Sequence, residues 1–250
     1  MDFQLRGRSG LVTGASSGIG KGIALALGSE GVRLAITARR IELLHDVADS
    51  ITSAGGMRPI LIQQDLLEEG AALAVATQAL AALGSVQILI NNAGGSRKFS
   101  LDSSDDDWDE AMTLNFVRQR QLTALLTDQM IEGSWGRIIN ITGKSEPDGL
   151  NGAFAAKAAM HAWAKGLSRE VGKFGITVNS IPPGRIMSEQ IERNYTPEYR
   201  KWQSENEIPV GEYGDPSDVA ALVCFLASPI SRYITGAVIP VDGGLRRYQF

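Results

Sequence analysis

Glycines at 14, 18 and 20 directly follow the apolar run Ser9 to Thr13. Glycines at such a turn let main-chain N–H groups approach a bound anion closely, and a helix opening there adds the positive end of its dipole. A pyrophosphate is the ligand that Gly14, Ser16, Ser17, Gly18, Ile19 and Gly20 suit. The spacing Gly-x-x-x-Gly-x-Gly differs from the Gly-x-Gly-x-x-Gly arrangement of many dinucleotide sites. A second chemical feature closes the next apolar run, where the chain reads Thr37-Ala38-Arg39-Arg40. No carboxylate stands there to repel a phosphate, and the Arg39 guanidinium can grip one through paired charged hydrogen bonds. Arg40 reads as the solvated start of a helix. The third feature is Lys157 in the segment NGAFAAKAAM. A residue four positions earlier shares its helix face, and that residue is Ala153, so the ammonium faces no second titratable group there.

Strand-like apolar runs alternate with helix-length segments, which is the arrangement that could hold these groups. Runs at 9–13, 33–37, 60–63, 86–90, 136–141, 177–181 and 237–241 read as seven strands; segments 19–30, 41–54, 69–82, 107–131 and 155–171 read as helices. Each parallel crossover needs a helix to return the chain, so the pattern predicts an α/β, Rossmann-like, doubly wound parallel sheet with helices on both faces. There is no internal repeat and no low-complexity tract. Residues 1–250 read as a single domain.

Composition excludes several classes. With 250 residues, 44% hydrophobic and 21% charged, the chain can bury a large core. A formal net charge of −4 with scattered positive residues gives no footprint for nucleic acid. The single cysteine, Cys224, lies in an apolar run and reads as a small buried hydrophobe; it rules out an intrachain disulfide. The first eight residues are too short and polar for a signal peptide, and no apolar run approaches the roughly 20 residues that span a bilayer. A cytoplasmic protein with no membrane partner is expected, and no metal site.

Seven landmarks in fixed order resemble the short-chain dehydrogenase/reductase family from about Gly7 to Gly244: the glycine turn, Asp65, Asn91-Asn92-Ala93-Gly94, Asn115, Lys157, Pro183-Gly184 and Val241-Asp242-Gly243-Gly244. The resemblance implies a nicotinamide cofactor. Asp65 and Leu66 would contact the adenine, while Asn91, Ala93 and Gly94 would belong to the segment that lines the adenosine ribose and supports the central sheet. Lys157 would bond the nicotinamide ribose, and Pro183, Gly184 and Ile186 would meet the carboxamide. Asn115 resembles the residue that anchors a water in the family's proton relay. NAD-preferring relatives place an acid where this chain has Arg39, so NADP(H) is favoured over NAD(H).

Two positions depart from the family. Its helix signature is Tyr-x-x-x-Lys, and Ala153 occupies the tyrosine position. Gly143, at the end of the run 136–141, occupies that of the substrate-polarising serine. Ser145 or Thr142 could supply a hydroxyl from a shifted loop beside Lys144, Glu146 and Asp148, although a solvated loop fits those residues equally well. No tyrosine precedes Tyr195. His161, one turn after Lys157, reads as a core or interface residue and His45 as a surface one.

A positioned general acid contributes about 10² to 10⁴ in rate, or roughly 3 to 5.5 kcal/mol. Its loss leaves three alternatives. The chain is an NADP(H)-dependent oxidoreductase for a small carbonyl or alcohol, with catalytic residues Asn115, Lys157 and Ser145 or a lid tyrosine; or it performs lyase, isomerase or enoyl-type chemistry; or it is a silent nucleotide-binding protein. Residues 186–211, with Tyr195, Tyr199 and Trp202, occupy the family's substrate lid, where aromatic rings either cover substrate or anchor the loop. Apolar residues Leu114, Val117, Leu122, Leu125, Met160 and Trp163 point to a homo-oligomer, a tetramer or dimer.

Overall fold

Runs rich in isoleucine, valine and leucine are what strands buried on both faces favour. The computed structural model describes residues 2–143 and 149–247. Its strands are β1 (Ser9–Thr13), β2 (Arg33–Ala38), β3 (Ile60–Gln63), β4 (Ile88–Asn91), β5 (Gly136–Ile141) and β6 (Ile176–Ile181). They form one sheet of order β3-β2-β1-β4-β5-β6, every pair parallel. Register sets Val12 beside Ile36 and Ile90, and Ile90 beside Ile139; the alternate row joins Leu11, Ala35, Leu89 and Ile138. Successive side chains point to opposite faces, so the two rows belong to two separate cores. Helices α1 (Gly18–Ser29), α2 (Ile41–Ser53) and later α9 (Pro216–Ala227) cover the first through Ile23, Leu44 and Val219. On the second face lie α3 (Ala71–Leu83), α5 (Arg118–Glu132) and α6 (Gly152–Val171), through Val75, Leu122 and Ala164. Leu122 and Met160 are fully buried in this protomer, which removes them from the expected partner surface; Leu125 stays exposed.

The seventh strand expected at 237–241 is not one, and the cause is Pro182. The segment does run parallel to β6: Ser180 N–H donates to the Ala237 carbonyl, Ile239 N–H to that of Ser180, Val241 N–H to that of Pro182, and Gly184 N–H to that of Val241. The missing rung is the one proline, lacking an N–H, cannot donate. Only isolated bridges remain, at Ser180 with Val238 and Pro183 with Val241.

The helix expected over 107–131 is also divided. Helix α4 (Asp105–Met112) starts from a capping box between Ser104 and Asp107, and a π-helical turn, Thr113–Val117, separates it from α5. Such a turn inserts a residue into the helical ladder and re-aims the side chain it carries. That side chain is Asn115.

Two short helices, α7 (Glu189–Asn194) and α8 (Pro197–Asn206), occupy the stretch after β6. Among the described residues no helix is long and apolar enough to cross a membrane.

Candidate functional site

Chain order reverses between β1 and β4, and in a doubly wound sheet the loops leaving the two strands diverge there and open a crevice. A cleft of about 460 Å³ lies at that point. Gly14, with φ +65°, and Gly20 form its floor. A side chain at Gly14 would stand 2.8 Å from the Ala93 Cα, and one at Gly20 would overlap the Gly14 carbonyl, so only glycine allows this approach. Asn92 holds the turn, donating from Nδ2 to the Thr13 carbonyl at 2.8 Å and to that of Gly14 at 3.1 Å. At the start of α1 the Ser17 side chain makes no capping bond, so the helix's first N–H groups face the cleft uncapped. Uncapped N–H groups at a helix start favour an anion.

Ser16, Ser17, Gly18 and Ile19 line the cleft with these glycines. So do Arg39, Asp65, Leu66, Ala93 and Gly94. Arg39 is largely exposed and lies 3.9 Å from Asp65. Arg40 is held more closely than a solvated helix start would be: its Nη2 donates to Ser17 Oγ at 3.2 Å and to Glu189 Oε2 at 2.9 Å. Asn91 does not reach the cleft. It is fully buried, and its Nδ2 donates to Thr123 Oγ1 and Asn140 Oδ1, tying β4 to β5 and α5. Its neighbour Asn92 takes the place at the surface. Pro183, Gly184 and Ile186 are fixed against Val241, Asp242 and Gly214, beyond the cleft's lining.

The sequence reading of 186–211 as a substrate lid did not place its first turn over the glycine-floored cleft. Ser188, Glu189, Gln190 and Arg193 of α7 line the cleft, and Ser188 Cβ lies 3.3 Å from where a side chain at Gly18 would begin. Ser188 followed by Glu189 and Gln190 carries a helix-start signal, and its hydroxyl does accept from Ile191 N–H. That signal locates the helix in the chain but not its contact with a turn 170 positions earlier.

Behind Gly94 the structure brings Lys157 and Asn115 together: a side chain at Gly94 would meet Asn115 Oδ1 at 2.7 Å and Lys157 Nζ at 3.3 Å. Asn115 donates to the carbonyls of Gly95 and Ala111 and accepts from Gly95 N–H. Lys157 is buried, donates to the Ile141 carbonyl at 2.8 Å, and burial alone holds its ammonium down to about 8. Ala153 is buried one turn before it, and a side chain at Gly143 would meet only Lys157 Cγ, at 3.8 Å. Ser145 lies outside the described residues, as do Lys144, Glu146 and Asp148. The Thr142 hydroxyl is engaged at 2.8 Å by His161 Nε2, whose pKa is lowered by burial first and then by the nearby Lys157 and Arg246 charges. His161 is thus a satisfied, half-buried side chain. Burial pushes the Cys224 thiol up to about 12, which makes it an inert core residue. In the segment after β6, Tyr199 stacks on Trp202 and meets Tyr195 at a tilt of 31°, and the Tyr195 hydroxyl accepts from Arg185.

A doubly wound parallel sheet with a glycine-floored cleft at its switch point, and a buried lysine behind Gly94, is the arrangement of a Rossmann-like α/β protein. A family model described as enoyl-(acyl carrier protein) reductase matches residues 14–246. The chain is 32% identical to the 3-oxoacyl-[acyl-carrier-protein] reductase of Aquifex aeolicus, over 98% of this chain and all of that one. Its fold is similar to that of 7α-hydroxysteroid dehydrogenase complexed with NADH and 7-oxo glycochenodeoxycholic acid, at TM-score 0.92 and 30% identity over 97% of this chain and 96% of that one. L-sorbose reductase from Gluconobacter frateurii, complexed with NADPH and L-sorbose, also gives TM-score 0.92, at 27% identity over 99% of this chain and 100% of that one. The chain belongs to the short-chain dehydrogenase/reductase family and is an oxidoreductase of that type.

Proposed function

We propose that the protein is an NADP(H)-dependent oxidoreductase for a small carbonyl or secondary alcohol substrate, with an active site that works without the family's tyrosine and serine. The observation that carries the cofactor choice is the corner after β2, where Arg39 and Arg40 line the cleft and β2 ends without a carboxylate. Of the two solved neighbours above, one holds NADH and the other NADPH, so the choice in this reading rests on the corner. The uncapped start of α1 fits a pyrophosphate, and the glycine floor leaves room for it. When bound, the nicotinamide gives or accepts a hydride.

The chain's own residues then position the reactants and handle the proton. Ala153 and Gly143 stand where the family has its two hydroxyls. Of the substitutes, Thr142 is engaged by His161 and Tyr195 by Arg185, whereas Lys157 carries a proton at Nζ whose pKa of about 8 suits transfer near neutrality. Lys157 is the proton donor in this reading, and Asn115 fixes the Gly95 backbone beside it. Residues 186–211 act as the lid, with α7 over the cleft. The apolar surface around Leu125 on α5 and Trp163 on α6 joins protomers into a dimer or tetramer.

The test is oxidation of NADPH against a panel of ketones and aldehydes. We expect turnover that declines as pH rises through about 8, as the Lys157 ammonium is lost, and that falls at least a hundredfold in Lys157→Met. The paired loss of hydroxyls at 153 and 143 favours one second reading, non-redox or enoyl-type chemistry on the same scaffold. Turnover of a substrate with no net change in NADPH would establish the non-redox form, and NADPH oxidation with an enoyl substrate but no ketone the enoyl form.

A further inference from the structure

Arg40 gathers three segments that are distant in sequence. Its Nη2 alone reaches Ser17 of the glycine turn and Glu189 of α7, while its backbone caps α2 at the end of β2. Arg39, the cation expected to read a phosphate, is the more exposed of the two and sits 3.9 Å from Asp65. Glu189 therefore places a carboxylate on a guanidinium at the same corner where a ribose phosphate would arrive. A guanidinium binds both anions through the same fork of N–H donors.

We propose that Arg40 is a second reader of the cofactor's 2′-phosphate and that Glu189 is its built-in stand-in, displaced when a phosphate-bearing cofactor enters. The proposal rests on the NADP(H) assignment above. A phosphomonoester near pH 7 carries up to two charges and three acceptor oxygens, against one charge and two oxygens on Glu189, so it outcompetes the carboxylate. Ser17 Oγ, 3.2 Å from Arg40, adds a hydroxyl donor at the same spot. The displaced Glu189 has a partner one turn along its own helix, since Arg193 follows at i+4 and lines the same cleft. Gln190 still ties α7 to the Ser96 carbonyl at 3.3 Å, so the roof keeps its second attachment. NAD(H), with a hydroxyl in place of the phosphate, leaves the Arg40–Glu189 pair intact. Both partners are about half exposed, so the competition costs the phosphate a factor of roughly 1.5 to 5 in affinity.

The experiment is calorimetric titration of the full chain with NADP+ and with NAD+, in the wild type, Arg40→Ala, Glu189→Gln and the double variant. Arg40→Ala should weaken NADP+ by about tenfold and leave NAD+ nearly unchanged. Glu189→Gln should tighten NADP+ by roughly two- to fivefold without affecting NAD+, and this gain should vanish when Arg40 is also alanine. A Glu189→Gln variant that binds NADP+ no better than wild type, or binds both cofactors better, overturns the exchange. Wild-type protein that binds NAD+ as tightly as NADP+ overturns the cofactor assignment and the exchange with it. NADP+ preference without a Glu189 effect refutes the exchange alone.

Discussion

Replacing Lys157 with methionine removes a charge from the interior while keeping most of the side chain's volume. The ammonium is held from 10.5 to about 8 by burial, and that depression corresponds to about 3 kcal/mol of destabilisation at pH 7. Its bond to the Ile141 carbonyl would be lost, at about 1 to 3 kcal/mol for a buried acceptor left unmade. The variant should therefore lie between unchanged and about 2 kcal/mol more stable than wild type at pH 7. The pH dependence is sharper. Below pH 8 both folded and unfolded states hold the proton and the full penalty is present. Between 8 and 10.5 the unfolded state holds more of it, so wild-type stability rises with pH relative to the variant, by about 1.4 kcal/mol per unit. Urea unfolding followed by circular dichroism at pH 7, 8, 9 and 9.5 measures both. All other titrations cancel in the difference, so a gap between the two proteins that stays constant over this range would refute the claim that Lys157 is buried as a cation.

Arg39→Ala should weaken NADP(H) by about 1.5 to 3 kcal/mol and change NAD(H) little; equal losses would show that Arg39 does not read the phosphate. Ala153→Tyr combined with Gly143→Ser should raise ketone reduction about tenfold or more, because Gly143 has room for a side chain and Lys157 sits one turn from position 153. No gain, with loss of a native activity, would mean that the space at Ala153 belongs to substrate. Light scattering at micromolar concentration should give a dimer or tetramer, and a monomer would remove the partner role assigned to Leu125 and Trp163.

The sheet was legible because its strands are predominantly apolar, the inner ones being buried on both faces, and all six observed strands lie at the runs read from the sequence. Composition could not show that Pro182 would omit one rung beside 237–241, since that depends on which N–H the neighbouring segment needs. Nor could a 3.6-residue period show a π turn at Thr113–Val117, whose single extra residue is smaller than the noise in the pattern. The glycine turn was readable from local spacing, and Lys157 only from its place among the family's ordered landmarks. Asn92, Arg40 and α7 were not, because each acts through a contact across many tens of residues: Asn92 on Gly14, Arg40 on Glu189 and Ser188 on Gly18. Asn91 and Asn92 carry the same side chain, and only alternation along β4 decides which one faces the core and which the cleft.

Lys157 sets stability against chemistry within one residue. Among the described residues it has no carboxylate beside it, and its one hydrogen bond there is to a neutral carbonyl, so those residues leave the desolvation almost unrelieved. A carboxylate partner would have restored the ordinary lysine pKa and made the ammonium a poor donor at neutral pH. The same absence of a partner that destabilises the fold is what brings the pKa to about 8, within reach of a proton transfer. Asn115 supports that arrangement without relieving it, because its amide bonds to Gly95 and Ala111 rather than to the ammonium. A lysine whose role was to hold the ribose alone would function equally well fully charged; one that must give up a proton needs the depressed value. The pH at which the stability gap between wild type and Lys157→Met begins to change should therefore coincide with the pH at which carbonyl reduction declines. If the gap begins to change near 8 while the rate stays flat through that value, Lys157 is a positioning residue, and the proton comes from elsewhere.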